Sequence, residues 1–221
     1  MYMKLLAVNV GGPREVEWRG QRVWTSIFKT PVPGRVCVGR LNIEGDRQSD
    51  LSVHGGPEKA VYGYPAEHYA FWRRELPDAE LGWGAFGENL TTEGLLEDEV
   101  CIGDRYRVGT AELVVTQPRP PCYKLGIRFG RPEMVKRFHR SGRSGFYFAV
   151  VREGELGAGD SIERLARDDY GLTVADVVRL YATDEADQSL LERASQHPAL
   201  PAGWREYFRK RLWEQDTGEG S

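Results

Sequence analysis

The chain has 221 residues, 40 % of them apolar and 29 % charged, which is the composition of an ordinary globular protein. Its 33 acidic and 30 basic residues give a net charge of -3, whereas a dedicated nucleic-acid-binding protein carries a basic excess. No stretch approaches the roughly 18 apolar residues of a membrane span, and we expect no signal peptide. With three cysteines a disulfide framework is not expected. We therefore expect a cytoplasmic protein with neither nucleic acid nor membrane as a partner.

Residues up to about 165 have the pattern of short strands and tight turns. The chain has 26 glycines and 12 prolines, where average usage predicts about 15 glycines. Residues 15–24 are typical of a hairpin, and residues 99–116 of a meander whose first strand contains Val100 and Ile102. Residues 145–152 are apolar on both faces, which predicts a central, fully covered strand. Many short strands favour a closed barrel because closure removes exposed edges.

Helices are predicted at two places among the strands and again near the C-terminus. The two internal helices are predicted at residues 65–76 and 132–139. After about residue 168 the apolar period changes to 3.6. Thr173 and Asp176 have the spacing of a helix-capping box, and further helices begin near Asp187 and Pro201. One apolar stripe is predicted along the last helix: Trp204, Tyr207, Phe208 and Leu212.

The change of period divides the chain into two predicted units. Residues 1–167 form the predicted β-barrel domain, and residues 168–221 form a three-helix domain. The fold class is mainly β within α+β, with a few peripheral helices. Because three short helices bury little core alone, we expect them to dock on the barrel.

The three cysteines differ in their surroundings. Cys37 and Cys101 lie in strand-like runs, where cysteine acts as a small hydrophobe. Cys122 follows an apolar strand in a proline-rich segment that predicts a stiff, non-helical loop. Arg119 and Lys124 flank it, and positive neighbours favour the thiolate. Two interpretations remain open from these residues: a reactive thiolate, or a cysteine that fills the barrel end.

A long polar loop, residues 45–59, is the second candidate for chemistry. Loops of this length inside a compact domain are often functional. His54 is placed to orient, protonate or coordinate a ligand, and Lys59 offers a phosphate-compatible charge. An ordinary turn with a satisfied histidine is the alternative, and a zinc site is not expected because no second ligand has the right spacing. Gly-Asp pairs recur beside strand-like runs and are interpreted as turns: Gly45-Asp46, Gly103-Asp104 and Gly159-Asp160.

Two further polar loops adjoin strands. Lys29 and Thr30 end an early strand, and Asn89 follows the glycine-rich residues 82–87. Four polar loops, one with a cysteine, predict a single anion-binding pocket. No Walker loop and no dinucleotide-binding fingerprint is present.

These motifs together resemble one known family. The series Lys29-Thr30-Pro31, Gly45-Asp46, 54–61 (HGGPEKAV), 86–90 (FGENL), 102–104 (IGD) and 117–125 (QPRPPCYKL) is similar to the MOSC family, named after the C-terminal domain of molybdenum cofactor sulfurase. The motifs run in the family's order over about residues 25–165. The C-terminal helices resemble the three-helix domain of its stand-alone bacterial branch, the YiiM-type proteins. The resemblance therefore covers nearly the whole chain and implies a β-barrel-like fold.

The resemblance also implies a cofactor and a set of site residues. MOSC domains are associated with the molybdenum cofactor (molybdopterin), a pterin dithiolene with one phosphate. Cys122 corresponds to the family's characteristic cysteine, which implies a catalytic residue and metal ligand, and His54 is the expected proton donor. The remaining expected cofactor-binding residues are Lys29, Thr30, Lys59, Asn89, Arg119 and Lys124.

The implied activity is reduction of N-hydroxylated small molecules, such as hydroxylaminopurine, to amines. We expect neither an iron–sulfur segment nor the aminotransferase-like desulfurase domain, to which pyridoxal phosphate binding would belong. The electrons are therefore expected from a separate donor protein. The alternatives are a non-catalytic carrier of cofactor or sulfur, with a persulfide on Cys122, and a metal-free thiol hydrolase or transferase that uses Cys122 with His54.

Overall fold

The computed structural model describes residues 2–49, 55–183 and 187–217. The strands are β1 Lys4–Val10, β2 Arg14–Trp18, β3 Gln21–Thr25, β4 Thr30–Pro31, β5 Arg35–Val38, β6 Val61–Pro65, β7 Leu90–Glu93, β8 Arg105–Val108, β9 Ala111–Pro118, β10 Phe146–Arg152, β11 Gly154–Gly157 and β12 Ile162–Ala166. The helices are α1 Glu67–Glu75, α2 Tyr123–Phe129, α3 Met134–Ser141, α4 Val174–Ala182, α5 Gln188–Gln196 and α6 Ala202–Thr217. Within these residues, no helix is both long and apolar enough to cross a bilayer.

The main sheet closes into a barrel, as the strand pattern predicts. Eight strands follow the order β12-β8-β9-β10-β6-β7-β1-β4. The barrel closes between β12 and β1, because Leu5 N–H donates to Asp160 O and Ile162 N–H donates to Met3 O, both at 2.9 Å. β6 and β7 run parallel, since α1 carries the chain across between them. Closure leaves β4 as a short flap on β1 at one end of the barrel.

Local turn signals are confirmed, whereas two strand predictions need correction. β2 and β3 form the predicted hairpin, with Arg19 and Gly20 both at positive φ in its turn. β10 is central, but burial alternates along it, so it is fully covered on one face only. Residues 100–102 form no strand: Cys101 makes an isolated bridge to Thr173. This segment pairs with the entry to the helical domain instead of with a neighbouring strand.

The three C-terminal helices dock on the barrel, as predicted. Thr173 and Asp176 form the capping box, with Asp176 N–H donating to Thr173 Oγ1 at 3.0 Å. Val174 N–H donates to Val100 O at 2.9 Å, and Trp204 Nε1–H donates to Gln117 Oε1 at 2.8 Å. One apolar cluster contains buried residues of both units. The predicted stripe on α6 is wrong for Tyr207, which is 39 % exposed because it faces away from this core.

His197, at the end of α5, gives the helical domain a pH-dependent stability. Its Nδ1 accepts from Ala199 N–H at 3.2 Å, so the neutral ring donates Nε2–H to Asp168 Oδ1 at 3.0 Å. Burial lowers the pKa of His197 below 6.5, against the opposing charge of Asp168. The unfolded chain then binds this proton at a higher pH than the folded chain, so stability falls as pH drops below about 6.5.

We expect urea unfolding of the wild type to show a lower free energy of unfolding at pH 5 than at pH 7, and a smaller loss in His197→Gln. An equal loss in both proteins would exclude His197 as the source.

Candidate active site

An open pocket at one end of the barrel collects most of the residues that the sequence singles out. The pocket is open to solvent, and its cavity volume is about 80 Å³. It is lined by Ser26, Ile27, Lys29, Asp46, Gln48, Ser49, Lys59, Tyr62, Gly87, Asn89, Arg119, Cys122, Lys124 and Tyr147. Thr30 is exposed in β4 and is not among these residues. His54 lies outside the described residues.

Cys122 lies half-buried in the wall of this pocket. The prediction of a non-helical loop is right as far as Cys122 and wrong beyond it, because α2 begins at Tyr123. No proline follows in this helix, and Leu125 N–H donates to Cys122 O at 3.0 Å to close the first turn. The thiol is therefore fixed between a rigid segment and a helix.

The other two cysteines lie outside the pocket lining. Cys101 is fully buried, as expected of a small hydrophobe. Cys37 is exposed, so that interpretation is wrong for it. β5 pairs with β11 in a two-stranded sheet, and Cys37 is on its exposed face.

A buried ion pair forms one side of the pocket. Lys29 Nζ donates to Asp46 Oδ1, and their side chains are 8 % and 2 % exposed. Asp46 Oδ1 also accepts from Gly11 N–H at 2.8 Å, and Oδ2 accepts from Asn89 Nδ2 at 2.9 Å. Burial lowers the pKa of Lys29, while the charge of Asp46 opposes that shift. The carboxylate thus holds a buried ammonium group at the pocket surface.

Asn89, directly before β7, connects several parts of this arrangement. Its Oδ1 accepts from Tyr62 N–H at 3.1 Å, and its Nδ2 donates to Asn9 O at 3.3 Å as well as to Asp46. Both amide hydrogens therefore have partners within the protein. The geometry gives Asn89 a positioning contact with Asp46, beside the cofactor contact that the family resemblance implies.

Two buried donors in the pocket have no partner among the described atoms. They are Ser26 Oγ and Arg119 Nη1. The Arg119 guanidinium lies 4.8 Å from the ring centre of Tyr62 and 5.6 Å from that of Phe138, which fixes its direction. Buried polar groups are normally hydrogen-bonded. A ligand bound in the pocket would supply acceptors for these two donors.

The charge of the lining favours an anion. The described lining residues include four positively charged side chains and one carboxylate, that of Asp46. The positive side chains are Lys29, Lys59, Arg119 and Lys124. Lys124 Nζ contacts Ser49 Oγ at 3.0 Å. Because the serine hydroxyl is neutral, this contact does not neutralise the charge of Lys124. A phosphate or another anionic group would be bound here by charge-assisted hydrogen bonds.

Comparison with known proteins identifies the family of this chain. Residues 50–163 match the model of the MOSC domain. The chain belongs to the MOSC domain family. Residues 172–214 match the YiiM-like, 3-alpha helix domain, so the C-terminal helices are also of the kind that the resemblance implies.

Its relatives cover nearly the whole chain. Protein YiiM of Escherichia coli (strain K12) is 36 % identical over 190 residues, 85 % of this chain and 84 % of that protein. YflK of Bacillus subtilis (strain 168) is 44 % identical over 207 residues, 94 % and 93 % of the two chains. The crystal structure of YiiM from Geobacillus stearothermophilus superposes with a TM-score of 0.80 at 37 % identity, covering 95 % of this chain and 99 % of that one.

A fungal relative is much longer. A protein of Gibberella moniliformis (strain M3125 / FGSC 7600) named "Reductase" is 37 % identical over 197 residues, which are 88 % of this chain and 35 % of that protein. The MOSC-family chain thus corresponds to about a third of that relative.

Sequence reasoning missed several lining residues of this MOSC domain. Asp46 was assigned to a turn, and the turn exists, with Gly45 at φ 83°. Asp104 and Asp160 do hold their own turns, accepting from Cys101 and Gly157 N–H at 3.1 and 3.0 Å. The Asp46 carboxylate instead contacts distant residues. Ser26 begins the polar segment that contains Lys29 and Thr30, but nothing in the sequence gave Ser26 itself a role. Tyr62 and Tyr147 carried no local signal beyond their strand-like surroundings.

Proposed function

We propose that this chain is a cytoplasmic, molybdenum-cofactor-dependent oxidoreductase that reduces N-hydroxylated compounds, such as hydroxylaminopurine, to amines. The observation that carries the proposal is that the Cys122 thiol shares one pocket with four cations and two unpartnered buried donors. A thiolate is a soft ligand suited to molybdenum, and the cations suit a phosphate. The relative named "Reductase" supports redox chemistry.

The residues present fit the molybdenum cofactor. Ser26 Oγ and Arg119 Nη1 are buried donors without partners, and molybdopterin carries anionic acceptors. Cys122 would hold the metal. Lys59, Arg119 and Lys124 would bind the phosphate or the anionic metal centre. When bound, the cofactor supplies a metal centre that exchanges two electrons with a substrate.

The chain's own side chains then bind the substrate and supply the protons that the reaction consumes. Cleaving the N–O bond of a hydroxylamine consumes two electrons and two protons and releases the amine and water. Burial raises the pKa values of Tyr62 and Tyr147, so both hydroxyls stay neutral beside the site. Asp46 fixes the Lys29 ammonium, and we assign proton donation to His54.

The direct test is turnover by cofactor-loaded protein with hydroxylaminopurine and reduced methyl viologen. We expect amine formation with two viologen radicals oxidised per product. Protein that contains stoichiometric molybdenum and gives no product would exclude the reductase and favour a cofactor carrier. Product formed by metal-free protein, and abolished by iodoacetamide, would indicate thiol chemistry instead.

Lys124→Met is expected to weaken cofactor retention with little effect on folding. Methionine keeps an apolar stem of similar length but removes the charge, and a hydrogen bond to a charged group contributes about 1.5–3 kcal/mol. Affinity for the pterin should fall roughly 10- to 100-fold. Pterin released from purified protein measures this, with Lys136→Met, at an exposed position of α3, as the control. Equal pterin content in both variants would remove Lys124 from the binding site.

A further inference from the structure

A second concave surface lies between α3 and the C-terminal helices. We call it the helix groove and define it by Pro120, Pro121, Lys136, His139, Tyr181 and Tyr207. Tyr181 and Tyr207 are 44 % and 39 % exposed, and their ring centres are 5.7 Å apart. His139 contacts Tyr181 edge to face, at 6.0 Å between ring centres. The floor is therefore aromatic and open to solvent.

The rim of the helix groove is basic. Lys136 and Arg140 are exposed and, four residues apart, lie on one side of α3. Arg179 lies nearby on α4, but its charge is neutralised by Asp176 at 2.9 Å, so Lys136 and Arg140 carry the positive charge of the rim. Among the described residues that line the groove, no carboxylate occurs. The rim is positively charged although the whole chain has a net charge of -3. The surface therefore favours an acidic partner.

The helix groove adjoins the active-site pocket through the Cys122 loop. Arg119 lines the pocket and also a small inner cavity that shares Pro120, Pro121 and Tyr181 with the groove. Pro121 directly precedes Cys122, so their Cα atoms are about 3.8 Å apart. A partner seated in the groove would thus be close to the thiol without entering the pocket. Substrate and partner would not compete for space.

From these features we infer that the helix groove is the docking site of an acidic electron-donor protein. The inference rests on the proposed function and adds the place on this chain where the electron donor binds. Each of two reduced donor molecules gives up one electron. One hydroxylamine takes up these two electrons and two protons, its N–O bond breaks, one N–H and one O–H bond form, and the oxygen leaves as water.

The test uses reduced flavodoxin, a small acidic flavoprotein, as the donor to cofactor-loaded protein. The variant Lys136→Glu/Arg140→Glu reverses the rim charge. We expect the flavodoxin concentration for half-maximal rate to rise about tenfold at low salt, while the rate with reduced methyl viologen is unchanged. The control is Arg107→Glu/Arg152→Glu, which makes the same charge change on the barrel, where Arg107 pairs with Glu163 and Arg152 pairs with Glu112.

Binding of oxidised flavodoxin, measured by titration calorimetry, gives a second readout that does not depend on turnover. We expect weaker binding by the rim variant, no change in the control, and a loss of this difference at high salt. Equal effects of both variants, or no electron transfer from flavodoxin while viologen-driven turnover proceeds, would overturn the docking site. Failure of the viologen reaction in the wild type would instead contradict the proposed function.

Discussion

Replacement of Cys122 by serine is expected to abolish reduction of the hydroxylamine while the protein stays folded. Serine has nearly the size of cysteine, but its hydroxyl is a hard, protonated group at pH 7 and does not replace a soft thiolate. Loss of groups that merely orient a metal ligand costs 10- to 100-fold, so loss of the ligand should cost at least about 100-fold in turnover. The measurement is the viologen-driven rate at saturating substrate, together with the thermal unfolding midpoint.

Cys37→Ser is the matched control for this experiment. Cys37 is exposed on β5 and outside the pocket lining, so its replacement should leave both the rate and the unfolding midpoint unchanged. A Cys122→Ser protein with undiminished turnover would contradict the metal-ligand role. Equal loss in both variants would show that the effect is not specific to the site.

Asp46→Asn is expected to be the most destabilising change in the site. The substitution leaves the buried Lys29 ammonium without its counterion and places an amide group where Asp46 accepts from Asn89 Nδ2. Breaking a buried pair by removing one partner costs about 3–5 kcal/mol. Urea unfolding measures this loss. Asp78→Asn is the control, because Asp78 is 84 % exposed beside Arg131 and such pairs contribute about 0–1 kcal/mol.

A double variant separates the ion pair from other effects at this position. In Asp46→Asn/Lys29→Met no buried charge is left unpaired, so we expect the double variant to be more stable than Asp46→Asn alone. Additive losses from the two single changes would contradict the assigned coupling between Lys29 and Asp46.

Local signals in the sequence predicted much of the fold. The Arg19-Gly20 turn and the Thr173 capping box need only neighbouring residues, and both are confirmed. Residues 100–102 were wrongly assigned to a strand because their partner is Thr173, about 70 residues further along the chain. Barrel closure likewise depends on contacts between Leu5 and Asp160. The glycine and strand counts favoured closure without indicating which strands meet.

The site residues also divide into those that a local sequence pattern predicts and those that depend on distant contacts. Cys122, Arg119 and Lys124 are close in sequence, so their charges and prolines marked the loop, and the family motifs added Lys29 and Asn89. The role of Asp46 depends on Gly11 and Asn89, which are 35 and 43 positions away. No local pattern predicts such contacts. The unpartnered state of Ser26 Oγ is a property of the packed pocket, and the sequence carries no sign of it.

Molybdenum and pterin content tests the central claim most directly. The wild type, Cys122→Ser and Cys37→Ser would be expressed side by side in a host that makes the cofactor and purified without oxygen. We predict near-stoichiometric molybdenum and pterin in the wild type and Cys37→Ser, and loss of molybdenum in Cys122→Ser. Folded wild-type protein with neither molybdenum nor pterin, even after incubation with the free cofactor, would contradict the assigned site.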